Sequence, residues 1–426
     1  MVIRMNIIKY DGLGETLYTD VLANKLPINI VTKPGYMKNY AFFATNYGGA
    51  DREFTHRGSR ISTPAGVAHF LEHKMFDTPD GGNALSVLSA NGASPNAYTS
   101  NEITAYYYES TQGFYENLDT LLRFVSVPYF TTESVEKEQG IIGQEIRMVE
   151  DHPGHVVYVN LMKLLFENNP IRDGIIGTVE SIAEITDETL YACHNVFYTS
   201  ANMTLCVVGD VDPEKVIALA SKALPAESGE APGKYYGEAE PELSKAGRSE
   251  VSMEVAQPLF MIGTRFAPSL GDAALRERVV GGLALKYLYG RSSPMFTKLY
   301  AEGILNDSFG VETDFAAGAG MLFAEGESQK PELVLEAMAE AARLAGSGLD
   351  SALFGRVKKS GYGARLRSLG AFEALCAELA DGQFNGYCAL DAAAILSEVT
   401  EDEVAEFIRT RLDGDRLSLS VVRPIK

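Results

Sequence analysis

The stretch Glu184–Leu190 reads EITDETL, and 214 positions later Glu398–Val404 reads EVTEDEV. Each stretch has a threonine, which suits a helix N-cap, and acidic residues in the turn that follows it. At the same offset Thr204–Val208 (TLCVV) corresponds to Ser418–Val422 (SLSVV), and both segments are typical of buried strands. A helix start and the strand after it therefore repeat in unbroken register.

The offset is about half of the 426 residues, so we expect two copies of one domain. Helices are grouped between runs of strands, which favours an α+β fold: two homologous domains, each a mostly antiparallel sheet with helices packed on one face. Residues 225–233 (PAESGEAPG) are polar, acidic and rich in Pro and Gly. We predict a catalytic domain at 1–226, an exposed linker at 227–248 and a non-catalytic second copy at 249–426.

Composition indicates an ordinary soluble protein, with 46% hydrophobic and 22% charged residues. The net charge of −20 argues against nucleic acid or an anionic membrane surface as a partner. No C-x-x-C pair occurs among the four cysteines, which predicts buried thiols in a reducing compartment. Since no signal peptide or long apolar run is evident, a cytoplasmic location without membrane attachment is expected.

The pentad His69–His73 (HFLEH) carries the strongest chemical signal. Positions i and i+4 share one helix face, so His69 and His73 could bind one metal ion, with Glu72 beside them. This is the order H-x-x-E-H, the inverse of the zincin motif. Pro64 is expected to open the helix. The second half of the chain has no histidine, so only the first domain can carry this site.

A catalytic zinc needs a third protein ligand, and no other histidine is well placed for it. The predicted helix 132–149 offers Glu138 and Glu145, seven residues apart on one face. Glu145 lies amid Ile141, Ile142 and Ile146, so we expect a buried carboxylate that needs a cation. The alternative is a salt bridge to Arg147 or Lys137, although both are poorly spaced for one. Glu145 is the favoured ligand, and Glu138 better suits orienting a ligand or water.

The sequence resembles the pitrilysin and mitochondrial processing peptidase family of inverzincin metallopeptidases. The resemblance rests on His69–His73 and on Glu136–Ile146 (EKEQGIIGQEI). It implies Zn²⁺ bound by His69, His73 and Glu145. It also implies that Glu72 is the general base, with Glu138 as a supporting catalytic acidic residue. The expected activity is endopeptidase hydrolysis of short or unfolded peptides by a metal-activated water.

The segment Gly92–Thr99 resembles the active-site edge strand of this family, and its core is Asn96, Ala97, Tyr98 and Thr99. Such a strand binds substrate as an added β-strand, because main-chain pairing accepts any peptide sequence. An ordinary hairpin with Asn96 in a turn is the alternative interpretation.

One segment departs from the family pattern. Family members commonly carry an Arg and a Tyr in the second domain, where this chain has Tyr300 and Asn306 or Asp307. The resemblance is to the half-length bacterial branch, whose catalytic subunit pairs with a similar chain that lacks the metal motif. A peptide substrate and a homodimer or such a heterodimer are therefore expected.

Two rival functions remain open on the sequence alone. One is a non-proteolytic or partner-dependent subunit of a peptidase heterodimer, although the intact Glu72 and ligand set count against a vestigial site. The other is a small-molecule metallohydrolase of the S-ribosylhomocysteine lyase type. That fold needs only one short domain, so the duplication disfavours it.

Overall fold

A computed structural model describes residues 5–241 and 244–425. The strands in these residues are β1 (Asn6–Tyr10), β2 (Glu15–Val21), β3 (Pro27–Thr32), β4 (Asn39–Thr45), β5 (Glu53–His56), β6 (Ser59–Ser62), β7 (Ala93–Thr99), β8 (Thr104–Ser110), β9 (Met203–Gly209), β10 (Gly233–Tyr235), β11 (Arg248–Met253), β12 (Leu259–Phe266), β13 (Gly310–Ala316), β14 (Ala319–Glu327) and β15 (Ser418–Pro424).

The helices over the same residues are α1 (Val67–Lys74), α2 (Ala84–Ala90), α3 (Phe114–Ser126), α4 (Thr132–Glu150), α5 (Pro153–Leu165), α6 (Val179–Ala183), α7 (Asp187–Phe197), α8 (Pro213–Ala223), α9 (Asp272–Tyr289), α10 (Pro294–Ala301), α11 (Pro331–Ala345), α12 (Ser351–Ser368), α13 (Phe372–Asn385), α14 (Ala392–Glu398) and α15 (Glu401–Arg411). Short 3₁₀ turns cover 170–173, 200–202, 389–391 and 414–416.

The repeated sequence stretches form matching helix starts. Thr186 caps α7 by accepting a hydrogen bond from the backbone N–H of Thr189, and Thr400 caps α15 in the same way through Glu403. In α15 the Glu403 side chain also accepts a bond from the Thr400 backbone, which completes a capping box. The two helices, each eleven residues long, precede the matching strands β9 and β15.

Packing divides the chain into two compact units made of interleaved segments. The first unit contains residues 1–146, 175–235 and 366–390, and the second contains 147–174, 236–365 and 391–426. Two of the five boundaries fall inside α-helices, one in α4 and one in α12. The domain limits drawn from the sequence follow chain order and stay a prediction.

The first unit is organised around a seven-stranded sheet in the order β1-β2-β3-β9-β4-β8-β7. Its neighbouring strands run antiparallel except β3 and β9, which are parallel. One face carries the larger core, to which α1, α3, α4 and α7 contribute buried residues. Strand β7 is the outermost strand next to α1, so its outer edge is unpaired within the described residues.

The second face of this sheet is covered by α13 from the 366–390 segment. Phe372, Leu375 and Cys376 of α13 are buried in the same cluster as Phe42 of β4 and Val208 of β9. Helices therefore lie on both faces of the sheet, where the sequence predicted one. The sequence could not place α13, because its apolar pattern fits any buried surface.

The second unit has a five-stranded sheet in the order β11-β15-β12-β14-β13. The β11–β15 pair is parallel and the other neighbouring pairs are antiparallel. One face packs against α9, α10, α11 and α15. The segment 147–174 supplies α5 to this unit, where the Tyr158 ring meets Phe323 edge-on with centroids 6.3 Å apart.

The two sheets share one plan, since β3-β9-β4-β8-β7 and β11-β15-β12-β14-β13 have the same order and the same single parallel pair. The predicted α+β class with two related, mostly antiparallel sheets is confirmed. Part of the segment expected to be an exposed linker forms a strand, because β10 pairs with β5. No helix within the described residues is long and apolar enough to cross a bilayer.

Candidate metal centre

The histidine pair lies on α1, a helix of only eight residues. Phe70 and Leu71 are fully buried and anchor the helix in the core, while the two imidazoles are only partly buried. The ring centroids of His69 and His73 are 4.6 Å apart. The spacing of four residues thus places two imidazoles one turn apart, as predicted.

Gly66 fixes where α1 begins. Its φ of +94° lies in the left-handed region, and an added Cβ would lie 2.5 Å from the carbonyl oxygen of Ile176. The helix therefore starts at Val67, and the prediction that Pro64 opens it is wrong. The chain turns sharply against residue 176 before the helix can form.

Helix α4 supplies the acidic side of the centre. Oε1 of Glu145 lies 3.7 Å from Nε2 of His69, and its Oε2 lies 3.6 Å from Nε2 of His73. One donor atom from each of these three residues lies within 4.8 Å of the others, and the described residues contain no other such group of three. The structure therefore brings the three predicted ligands together.

The surroundings of Glu145 differ from the expectation. Ile142 and Ile146 are buried, but Ile141 is 46% exposed and faces away from the core. The Glu145 side chain is 31% exposed, so it is half-buried rather than enclosed by apolar groups. Its proximity to two imidazoles, and not burial among isoleucines, is what marks it as a ligand.

Glu138 contacts the other nitrogen of His73. Its Oε1 lies 3.0 Å from Nδ1 of the ring. This contact favours the tautomer in which Nδ1–H donates to the carboxylate, leaving the Nε2 lone pair directed at Glu145. The hydrogen bond to His73 also lowers the pKa of Glu138. The predicted orienting role of Glu138 therefore has a geometric basis.

The two histidines differ in their electrostatics. Burial lowers the pKa of His69 to about 4, and the neighbouring His73 adds to this effect. Burial also acts to lower the pKa of His73, but the hydrogen bond and charge of Glu138 outweigh it and the net pKa is raised. His69 is thus a neutral imidazole at neutral pH, as metal ligation requires.

Glu72 lies between the histidines in sequence and makes a different contact. Its Oε2 accepts a 2.6 Å hydrogen bond from the Thr99 hydroxyl at the end of β7. Burial raises the pKa of Glu72, and the Thr99 hydrogen bond opposes that rise. A half-buried carboxylate with one oxygen held by a strand is suited to proton transfer.

The four residues predicted to bind substrate divide between the faces of the sheet. Ala97 packs with the core that contains α1, whereas Tyr98 packs with the α13 layer. Asn96 belongs to β7 and not to a turn, so the alternative hairpin interpretation is wrong at that position. Main-chain groups of the four share the sheet edge, but of their side chains only Thr99 reaches Glu72.

Lys74 and Asp77 were missed by the sequence reasoning. The Lys74 side chain is only 3% exposed, pairs with Asp77 and lies 4.0 Å from Oε2 of Glu138. A lysine directly after the motif, with an aspartate three positions later, was the available signal. The pair gives Glu138 a cationic neighbour on the side away from His73.

The donor set fits zinc. Two imidazole nitrogens and one carboxylate oxygen converge, and a carboxylate partner sets the tautomer of one histidine. Nδ1 of His69 is buried and has no hydrogen-bond partner within the described residues. The other histidines lie elsewhere: His194, for example, is a core residue bonded to the Val125 carbonyl.

Comparison with known proteins gives the same result. The family described as "Insulinase (Peptidase family M16)" matches residues 54–179, and "Peptidase M16 inactive domain" matches 184–360. A Bacillus subtilis protein named as the uncharacterized zinc protease YmfH is 34% identical over 98% of this chain and 99% of its own length. The beta subunit of mitochondrial-processing peptidase from Caenorhabditis elegans is 34% identical over 40% of this chain and 38% of its own.

Solved structures agree in fold. An M16-like peptidase from Alicyclobacillus acidocaldarius superposes with a TM-score of 0.92 at 30% identity and full coverage of both chains. A protease from Helicobacter pylori has a TM-score of 0.80 at 17% identity, covering 95% of this chain and 99% of its own. The latter supports the fold alone.

The fold and the site define a metallopeptidase. The chain belongs to peptidase family M16, with the pitrilysin-like organisation that the sequence predicted. The predicted zinc cofactor is confirmed by the zinc proteases among its relatives together with the His-His-Glu group.

Proposed function

We propose that this chain is a zinc-dependent endopeptidase of short or unfolded peptides, in which Glu72 is the general base. The observation that carries the proposal is the convergence of His69, His73 and Glu145 donor atoms within 4.8 Å, with Glu72 on the same helix. A hydrolase needs the metal ligands and a separate base side by side, and α1 supplies both.

Substrate binding is assigned to the outer edge of β7. This strand pairs with β8 on one side only within the described residues. Its last residue, Thr99, is bonded to Glu72, so a peptide added along this edge would run towards the base. Backbone pairing favours extended, unfolded chains and imposes little sequence preference.

The protein groups divide the chemistry. Zinc, when bound, supplies the Lewis acidity that activates water and polarises the scissile carbonyl. Glu72 accepts the proton from the attacking water and donates it to the leaving amine. The Glu138 carboxylate accepts a hydrogen bond from Nδ1–H of His73, so that the Nε2 lone pair stays available to bind the metal. His69 stays neutral because burial disfavours its charged form.

The test combines metal analysis with peptide cleavage. The purified chain should contain about one zinc per molecule and cleave a mixture of unstructured peptides. Glu72→Gln should retain zinc and lose cleavage, and Glu145→Gln should lose both. Glu136→Gln, on the exposed side of α4, is the matched control and should behave as wild type. Absence of zinc from the wild type would contradict the proposal.

A partner-dependent enzyme is the second candidate. It is favoured by the likeness to a protein named as a subunit of mitochondrial-processing peptidase. Stoichiometric zinc without cleavage by the chain alone would support it, and light scattering would show whether the chain is a homodimer.

A cytoplasmic location is also proposed, and it is supported by four free cysteines, three of them buried.

A further inference from the structure

Thr99 is held in place by more of the fold than its strand alone. It ends β7 and lies opposite Thr104 in the register of the β7–β8 pair. The turn that joins the strands is closed by the Ser100 hydroxyl, which accepts hydrogen bonds from the backbone N–H groups of Glu102 and Ile103. The position of residue 99 is therefore fixed on its C-terminal side.

A second loop clamps this turn from outside. The backbone N–H groups of Gly49 and Ala50 donate to the carbonyls of Ser100 and Asn101 at 2.9 Å. Gly48 lies so close to the turn that an added Cβ would be 2.4 Å from the carbonyl carbon of Asn101. Such close backbone contacts allow the turn little movement, so the side chain at its start is preorganised.

Among the described residues, the Thr99 hydroxyl donates its proton to the Glu72 carboxylate. Its oxygen lies 2.6 Å from Oε2 of Glu72, a short distance for an O–H···O⁻ bond. The Thr104 hydroxyl lies 3.4 Å from the hydroxyl oxygen of Thr99. It donates its own proton to the Tyr47 carbonyl at 2.9 Å. Thr104 therefore leaves the Thr99 proton free to be donated to Glu72.

We propose that Thr99 is the positioning residue of the general base: its hydroxyl holds Oε2 of Glu72 and leaves Oε1 as the proton acceptor. The same residue ends the strand along which substrate is proposed to bind, so one rigid turn sets both the base and the adjoining edge. The inference rests on the proposed function for the identity of the base.

Two explanations of a threonine at position 99 can be separated by substitution. A threonine at the end of an edge strand is also explained by β propensity alone, and valine would satisfy that need equally well. Of these two side chains, only threonine has a hydroxyl that can donate a hydrogen bond to the Glu72 carboxylate. Thr99→Ser and Thr99→Val therefore separate the two explanations, because serine keeps the hydroxyl and valine keeps the shape.

The experiment measures cleavage and the place of the carboxylate. With a quenched fluorogenic peptide that the wild type cleaves, Thr99→Val should lower kcat about 10- to 100-fold with KM nearly unchanged, as expected when a reacting group is misplaced. Thr99→Ser should restore most of kcat. A matched control is Thr45→Val, which removes the buried hydroxyl bonded at 2.6 Å to the Phe197 carbonyl and should leave kcat much less affected.

Crystal structures of the three Thr99 forms give a second measurement that needs no activity. The Glu72 carboxylate should have the same position in wild type and Thr99→Ser. In Thr99→Val it should be displaced. An unmoved Glu72 in Thr99→Val, or equal losses of kcat in Thr99→Val and Thr45→Val, would overturn the inference. If the wild type cleaves nothing, the proposed function fails, while the position of Glu72 still decides whether Thr99 holds it.

Discussion

Nδ1 of His73 lies 3.0 Å from Oε1 of Glu138, a residue 65 positions further along the chain. This contact joins α1 to α4 and fixes which ring nitrogen of His73 is free for a metal. It also makes the geometry of the centre depend on a carboxylate that is not itself a ligand. Several consequences can be measured in solution.

Glu138→Gln should weaken zinc binding without abolishing it. The amide can still hydrogen-bond to the ring, but it lacks the negative charge that makes His73 a stronger metal ligand. We therefore expect the zinc affinity to fall about 10- to 100-fold. Competition with a chromophoric chelator measures this directly. Glu136→Gln, exposed on the same helix, should bind zinc as the wild type does. Equal affinities for wild type and Glu138→Gln would refute the orienting role.

Asp77→Asn should destabilise the protein, because it leaves the buried ammonium of Lys74 without its nearest partner. Breaking a buried pair typically costs about 3–5 kcal/mol, and we expect less here since Asp77 is 35% exposed. The double variant Lys74→Met/Asp77→Asn removes both charges and should recover most of the loss. Urea unfolding of the single and double variants tests this, and additive losses would argue against pairing.

Gly66→Ala should disturb the start of α1. The position has a φ of +94° and no room for a Cβ, so we expect a loss of about 1–3 kcal/mol and weaker zinc binding as His69 shifts. Gly140→Ala is the matched control: nothing lies within 4 Å of its added Cβ, and this helical position should gain about 0.5–1 kcal/mol. Thermal unfolding and zinc titration of both variants distinguish local strain from a general intolerance of alanine.

His194 should make stability depend on pH. Burial lowers its pKa to about 4, while its Nε2 is bonded to the Val125 carbonyl. Between about pH 6.5 and pH 4 the unfolded chain binds a proton there and the folded chain does not, so stability falls as the pH falls. The full effect is up to about 3 kcal/mol, since a tenfold change in proton affinity corresponds to about 1.4 kcal/mol.

The measurement for His194 is the difference between two unfolding curves. Urea unfolding of wild type and His194→Gln at a series of pH values should show the wild type losing more stability across this window. Below about pH 4 the difference should level off, because both states of the wild type are then protonated. Parallel curves throughout would show that His194 is not held neutral by the fold.

Local patterns predicted what depends on neighbours in sequence. The spacing of His69 and His73 on one helix and the length of α4 followed from helical periodicity. The exposure of Ile141 did not, because a run of apolar residues does not say which of them faces the core. The start of α1 also escaped prediction, since Gly66 adopts a positive φ where it lies close to residue 176, which is distant in sequence.

Contacts between distant segments were the least predictable part of the site. The pairing of Glu138 with His73 was anticipated only as a general role, and Thr99 was assigned to substrate rather than to Glu72. Lys74 was not singled out from the sequence, yet it is buried beside Asp77. Each case depends on which surfaces meet in three dimensions, and a single sequence does not encode that in any simple period.

The interleaving of segments has a consequence for how the chain can be divided. A fragment that ends near residue 226 would keep the seven-stranded sheet but lack α13, which buries Phe42 and Val208 on one face. The complementary fragment would lack α5, which packs in the second unit. Each half alone would expose apolar surface and be prone to aggregate. Expressed together, the two pieces should rescue each other's solubility, so this molecule is a candidate for split-protein complementation.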